Sequence, residues 1–187
     1  MTAPKRGVIL AGGSGQRMGG NKPFHPYGKS TLIETVIARL KPQLQEVVIN
    51  AGEPGSALVL PLSCLGVRLI YDDPQLTALG PLSGVLSALR FAKDSGDDAI
   101  ITAPCDMPEV PKDMVAQLSE RDGDIVHFAG ARDYPLCALW RVAVLPALEE
   151  ALQAADRGLP VMRFLSRQQV TRIVVTDETS FVNINQP

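Results

Sequence analysis

Short apolar runs alternate, through the first half of the chain, with stretches in which apolar residues recur every three or four positions. Residues 8–10, 47–49, 67–71 and 98–102 have the length and β-branched content of buried strands. Between the first two, Leu32, Ile33, Val36, Ile37 and Leu40 follow helical spacing. Thr31 stands before that run with Glu34 three residues later, a capping-box pattern that predicts the helix start, and Pro42 ends it. Leu82, Val85, Leu86 and Leu89 trace a second helix. Strand, polar loop and helix in repetition predict a mostly parallel sheet covered on both faces, an α/β fold of three layers.

The second half is less regular. Residues 124–128 and 136–140 read as strands joined by a polar connection at 130–135, and 142–155 as a helix that tolerates Pro146 in its first turn. A strand is predicted at 170–175, and the alternation at 181–185 places Asn183 and Asn185 on one face of another. Neither an internal repeat nor a low-complexity linker interrupts the 187 residues, so one domain over 1–187 is expected.

The first strand opens into Gly12-Gly13-Ser14-Gly15-Gln16-Arg17-Met18-Gly19-Gly20-Asn21-Lys22. Glycines let a backbone approach a ligand closely, and successive N–H groups in such a loop form an anion-binding nest. Arg17 and Lys22 add full positive charge, so the ligand predicted is a di- or triphosphate. Two familiar loops fail here. The dinucleotide fingerprint G-x-G-x-x-G has Met18 at its third glycine, and the P-loop ending at Gly28-Lys29-Ser30 would need its first glycine where Pro23 stands. Gly28-Lys29-Ser30 reads as a turn leading into a helix.

The loops after the strands should gather along one edge of the sheet, where open α/β sheets bind ligands. Asp106, stiffened between Pro104 and Pro108, sits there beside the expected phosphates. A rigid carboxylate in that place suits Mg²⁺, which takes one or two carboxylates with phosphate oxygens and water. Asp72 and Asp73, as spacing alone has it, serve a solvated turn before Pro74 as readily as a ligand site. Gly80-Pro81-Leu82-Ser83-Gly84 opens a helix, and Asn50 ends the second strand.

Leu10-Ala11-Gly12-Gly13 with Arg17, Met18, Gly19 and Lys22 resembles the signature L-A-G-G-x-x-x-R-M-G-x-x-K of the MobA-like nucleotidyltransferases, with Asn21 in place of an aspartate. Pro104-Cys105-Asp106-Met107-Pro108, Gly80-Pro81-Leu82-Ser83-Gly84 and Asn183-Ile184-Asn185-Gln186-Pro187 resemble further segments of the same family, the last with Gln186 where threonine is usual. The resemblance implies a Rossmann-like fold and transfer of GMP from GTP to the phosphate of molybdenum-molybdopterin, with release of pyrophosphate. It implies Arg17, Lys22 and Asp106 as catalytic residues and Mg²⁺ on Asp106. It carries over Leu10, Ala11, Gly12, Gly13, Lys22, Asn50, Asp72, Gly80 and Asp106 as nucleotide contacts and Asn183 and Asn185 as substrate contacts. The partners implied are GTP, molybdenum-molybdopterin, and enzymes that insert molybdenum or accept the cofactor. A CTP-using enzyme of the same fold, and a binding protein that holds GTP without turnover, are the alternatives.

Bulk composition agrees with this class. A net charge of −2 argues against general nucleic-acid affinity. Charged, glycine or proline residues interrupt every apolar run, so no membrane span is expected. Cys64, Cys105 and Cys137 form neither a zinc pattern nor a disulfide framework, which favours a reducing cytoplasm. His25 and His127 are read as surface or partner-satisfied residues; a phosphate acceptor, largely ionised at neutral pH, needs no general base.

Overall fold

The computed structural model describes residues 4–12, 21–76 and 79–184. Strand β1 (Arg6–Leu10) precedes a small hairpin, β2 (Pro26–Tyr27) and β3 (Ser30–Thr31), then helix α1 (Leu32–Leu40) and β4 (Glu46–Asn50). Next come α2 (Val59–Ser63), β5 (Leu69–Ile70), α3 (Pro81–Asp94) and β6 (Ala99–Pro104). The remaining elements are α4 (Met114–Ser119), β7 (Ile125–Ala129), β8 (Asp133–Arg141), α5 (Leu145–Gln153), α6 (Val161–Leu165) and β9 (Val170–Val174). Seven strands form one sheet in the order β5-β4-β1-β6-β8-β7-β9. β8 runs antiparallel to both its neighbours, and the other pairings are parallel.

Alternation along the strands divides the core into two layers. Ile9, Ile49, Ile101 and Ala103 pack towards α1, α2 and α4. Val8, Leu10, Val48 and Ile100 pack towards α3, α5 and α6 on the opposite face. The helix–sheet–helix arrangement is the three-layer α/β fold expected. Ile33, Val36 and Leu40 of α1 are wholly buried, each contributing about 1.5–3 kcal/mol relative to exposure. The helix starts as its sequence predicts: Thr31 Oγ1 accepts from the Glu34 N–H, and Glu34 Oε2 accepts from the Thr31 N–H at 2.9 Å.

Several boundaries differ from the pattern, each for a physical reason. The strand expected at 67–71 is confined to Leu69–Ile70, and it stops there because Ile70 lies opposite Asn50, the last residue of β4. β6 runs on to Pro104, flanked by β1 and β8 and buried along its whole length. Residues 28–30 form the tip of the β2–β3 hairpin, with Gly28 at φ 60°, and α1 follows directly. β8 begins at Asp133 and carries Pro135 within it; a register shift opposite His127 and Phe128 accommodates a residue that cannot donate to the ladder.

The strand expected at 181–185 does not form over the described part. A 3₁₀ turn at Thr179–Phe181 is followed by an unpaired segment. Phe181 turns into the core against Phe128 and Tyr134, at ring-centroid distances of 4.9 and 4.7 Å. Aromatic burial there outweighs edge pairing. Asn185 lies outside the described residues, so the shared face for the two amides is not part of this structure.

Candidate active site

The chain runs from β1 outwards through β4 to β5, then returns across α3 to β6 on the other side of β1. The strand order therefore reverses between β1 and β6, and the crevice at their carboxyl ends is where such sheets bind ligands. Lys22 begins a 3₁₀ turn whose Pro23 is buried, which fixes the lysine's base in the fold. Asp106 leaves β6 in a turn pinned to β1 by the Cys105 N–H donating to Leu10 O at 3.1 Å. Lys22 Nζ makes a short ion pair with Asp106 Oδ2. Asn183 Nδ2 donates to the same oxygen at 2.9 Å, while the Ile184 N–H donates to the Asp106 carbonyl at 2.9 Å.

That arrangement leaves two oxygens over. Asp106 Oδ1 and Asn183 Oδ1 are buried and accept no hydrogen bond among the described residues. Buried acceptors without a donor are costly, and hard oxygens are the ligand type a divalent cation takes. The residues present thus fit a metal. Among the described residues no three His, Cys, Asp or Glu side chains gather into a cage. A metal here must complete its shell from phosphates and water, as Mg²⁺ does. Cys105, adjacent to Asp106, is no nucleophile: burial above all, and then the Asp106 charge, pushes its thiol up to about 12.

At the ends of β4 and β5, two and three strand positions from β6, Asn50 and Asp72 form a second cluster. Asp72 is 8% exposed, its N–H donates to Gly52 O at 2.9 Å, and Oδ1 accepts from Asn50 Nδ2 at 2.7 Å. Burial raises its carboxyl above the ordinary range, partly offset by the hydrogen bonds from Asn50 and Ser87. Asp73 instead accepts from the Gln75 N–H at 3.1 Å, which above all lowers its pKa, and turns to Arg90 at 3.1 Å, which lowers it further. Geometry so separates two aspartates that spacing alone left equivalent.

Glycines allow this cluster to close up. A Cβ on Gly12 would lie 2.4 Å from Gly52 backbone atoms, and one on Gly84 would lie 3.0 Å from Asn50 Oδ1. The second glycine of the 80–84 segment therefore brings α3 against Asn50. Gly80, at φ 95°, caps the helix in a conformation that side chains resist. The Ala11 and Gly12 N–H groups both donate to Asn50 O at 2.9 Å, and Leu10 O accepts from Cys105. Those backbone groups hold the crevice together rather than pointing at phosphate.

Gly13 and Arg17 lie outside the described residues. Of the expected site residues that are described, Lys22, Asp106 and Asn183 meet in one cluster and Asn50 with Asp72 in another, with residues 10–12 between them. Sequence reasoning missed Ser87, whose hydroxyl reaches Asp72; its signal was a polar residue one turn beyond Ser83 on an apolar helix. His127, expected at a surface or with partners, is 1% exposed. Its Nδ1 is 2.9 Å from Phe128 O, and its Nε2 has no hydrogen bond among the described residues.

A mostly parallel α/β sheet, with a glycine-rich basic loop after β1 and a lysine–carboxylate–amide cluster at its reversal point, defines a nucleotide-handling transferase. The chain belongs to the MobA-like NTP transferase family, whose domain model matches residues 7–172. It is 41% identical over 186 residues to a molybdenum cofactor guanylyltransferase of Cereibacter sphaeroides, covering 97% of this chain and 91% of that one. A Rhodobacter capsulatus protein of the same name is 36% identical, with 97% and 90% covered. Among solved structures, molybdopterin-guanine dinucleotide biosynthesis protein A of Archaeoglobus fulgidus superimposes with a TM-score of 0.80 at 25% identity, over 97% of this chain and 93% of that one. The chain is a nucleotidyltransferase. Among its described residues no helix is long and apolar enough to cross a membrane.

Proposed function

We propose that this enzyme transfers GMP from GTP to the terminal phosphate of molybdenum-molybdopterin. An oxygen of the acceptor phosphate attacks the α-phosphorus of GTP. The bond from that phosphorus to the bridging oxygen breaks, and pyrophosphate leaves with the electron pair. The observation that carries this reading is the cluster of Lys22, Asp106 and Asn183 with its two undonated oxygens, on the switch-point edge of a chain so similar to the guanylyltransferases.

Each residue has a part that follows from its chemistry. Lys22, with Arg17 on the loop after β1, neutralises charge that grows on the departing pyrophosphate, where electrostatic stabilisation has most effect. Asp106 and Asn183 would hold a divalent metal such as Mg²⁺ through the oxygens that lack donors. A metal bound there would supply positive charge to the phosphate oxygens. Asn50 and Asp72 line the base end, together with the segment Leu10 to Gly12, and Gly80 opens the helix behind them. Asn185 is read, with Asn183, as a contact for the acceptor.

Pyrophosphate release with GTP, Mg²⁺ and molybdopterin-bearing acceptor tests the proposal. The wild-type protein should turn over, while Asp106→Asn, which keeps the size and loses the charge, should fall by at least about a hundredfold with its melting temperature little changed. Normal release by Asp106→Asn, or wild-type turnover with CTP in preference to GTP, would overturn it.

A further inference from the structure

Helix α3 presents three polar side chains spaced four and three residues apart, Ser83, Ser87 and Arg90, so that they share one face. All three grip the segment that follows β5. Ser83 Oγ donates to Leu76 O, Ser87 Oγ lies 3.2 Å from Asp72 Oδ1, and Arg90 Nη1 lies 3.1 Å from Asp73 Oδ2. Arg90 is itself anchored to α5 by Nε donating to Glu149 Oε1 at 2.9 Å. The segment bearing Asp72 is thus fastened to the helix at successive turns.

Ser87 is the member that touches the site. Its hydroxyl has one proton and two acceptors within reach, Asp72 Oδ1 at 3.2 Å and its own helix's Ser83 O at 3.0 Å. An ionised carboxylate wins that competition, because charge-assisted hydrogen bonds are the stronger kind. With Asn50 Nδ2 donating to the same atom, Oδ1 is fully engaged. The carboxylate plane is then fixed, and Oδ2 is the oxygen that no donor among the described residues reaches.

What Oδ2 meets follows from the strand order. Asp72 follows β5, three strand positions from β6 and Asp106. At about 4.8 Å per strand this is roughly 14 Å, the reach of an extended nucleoside triphosphate from phosphates to base. An ionised carboxylate accepts only, and it repels phosphate. At the base end its partners are the donors of guanine, N1–H and the 2-amino group. Resting on the guanylyl-transfer reading above, we propose that Ser87 is a specificity-determining positioning residue, which holds Asp72 in the orientation that recognises the 2-amino edge of guanine.

The test compares Mg-GTP with Mg-ITP, which lacks only the 2-amino group, by titration calorimetry and by initial rates. Wild type should bind GTP about tenfold or more tightly than ITP, as expected for a hydrogen bond to a charged group. Ser87→Ala keeps the helix, since alanine is the better helix former. In that variant the GTP-to-ITP ratio should shrink to about threefold or less, with the loss falling on KM for GTP and not on kcat. Ser87→Thr restores the hydroxyl and should restore the ratio. An unchanged ratio in Ser87→Ala overturns the role of Ser87, and equal wild-type affinity for GTP and ITP overturns the contact of Asp72 with the 2-amino group. A wild-type preference for CTP would instead strike at the guanylyl-transfer reading, and a single additional titration separates these outcomes.

Discussion

Asp72 is held in a position that harms the free protein. Its burial raises the carboxyl pKa above the ordinary carboxylate value, so the folded state binds this proton more tightly than the unfolded one. Stability then declines as pH rises from the unfolded value through the higher folded one, and the whole penalty is present at neutrality. Asp72→Asn removes the charge yet keeps an oxygen for Asn50 and Ser87 to donate to. Its melting temperature at pH 7 should equal or exceed that of wild type, the difference vanishing near pH 3, while GTP affinity falls at pH 7. Calorimetric scans at both pH values with a nucleotide titration check this. A lowered melting temperature at pH 7 would mean that Asp72 serves the fold rather than the ligand. No local pattern distinguished Asp72 from Asp73; what separates them is the direction of each side chain, set by α3 and β4, distant in sequence.

Among the elements, α1 is the one whose sequence says most. Thr31 and Glu34 cap it, Glu34 being held below the usual carboxylate range first by the Thr31 hydroxyl and then by Ser30. Thr31→Ala should cost about 1 kcal/mol in urea denaturation with the slope unchanged. A loss below a few tenths would show the cap to be redundant with the β2–β3 hairpin. The parallel strands and their helices were legible in the same way, since periodicity and capping are local. The hairpin β7–β8 was legible as two strands, but Pro135 read as loop because a proline is tolerated inside a strand only where a bulge opens the ladder. The terminal segment misled because alternation at Phe181, Val182 and Asn183 mimics a strand, whereas its energy comes from one aromatic ring. α2, α4 and α6 are five or six residues long, too short to imprint a period.

At the scale of the molecule, the site depends on how the far end of the chain is fastened. Glu178 accepts from the Tyr134 hydroxyl and from the Ala131 N–H, at 2.9 Å for the latter, and Phe181 is 1% exposed between two rings. These contacts station Asn183 beside Asp106. Phe181→Ala should lower stability by about 3–5 kcal/mol. At a temperature where the variant stays folded, it should also release pyrophosphate more slowly, although Phe181 is two residues from the site. Full activity in the folded variant would show that Asn183 holds its station unaided. The placement of the strand-end residues on one edge was foreseeable from topology alone; the ion pair of Lys22 with Asp106 was not, because nothing in either segment encodes the other.

The partners of Asp106 lie on opposite sides of it in the chain, Lys22 84 residues away and Asn183 77 residues away. A polypeptide is made from its amino end, and folding of the early part can begin before the late part exists. The end proposed to read the base, built from β1, β4, β5 and α3, is translated before β6 and Asn183. The proposed metal seat is closed only when Asn183 has left the ribosome. A nascent chain can therefore acquire the shape of a nucleotide receptor before Asn183, and with it the proposed metal seat, has been translated.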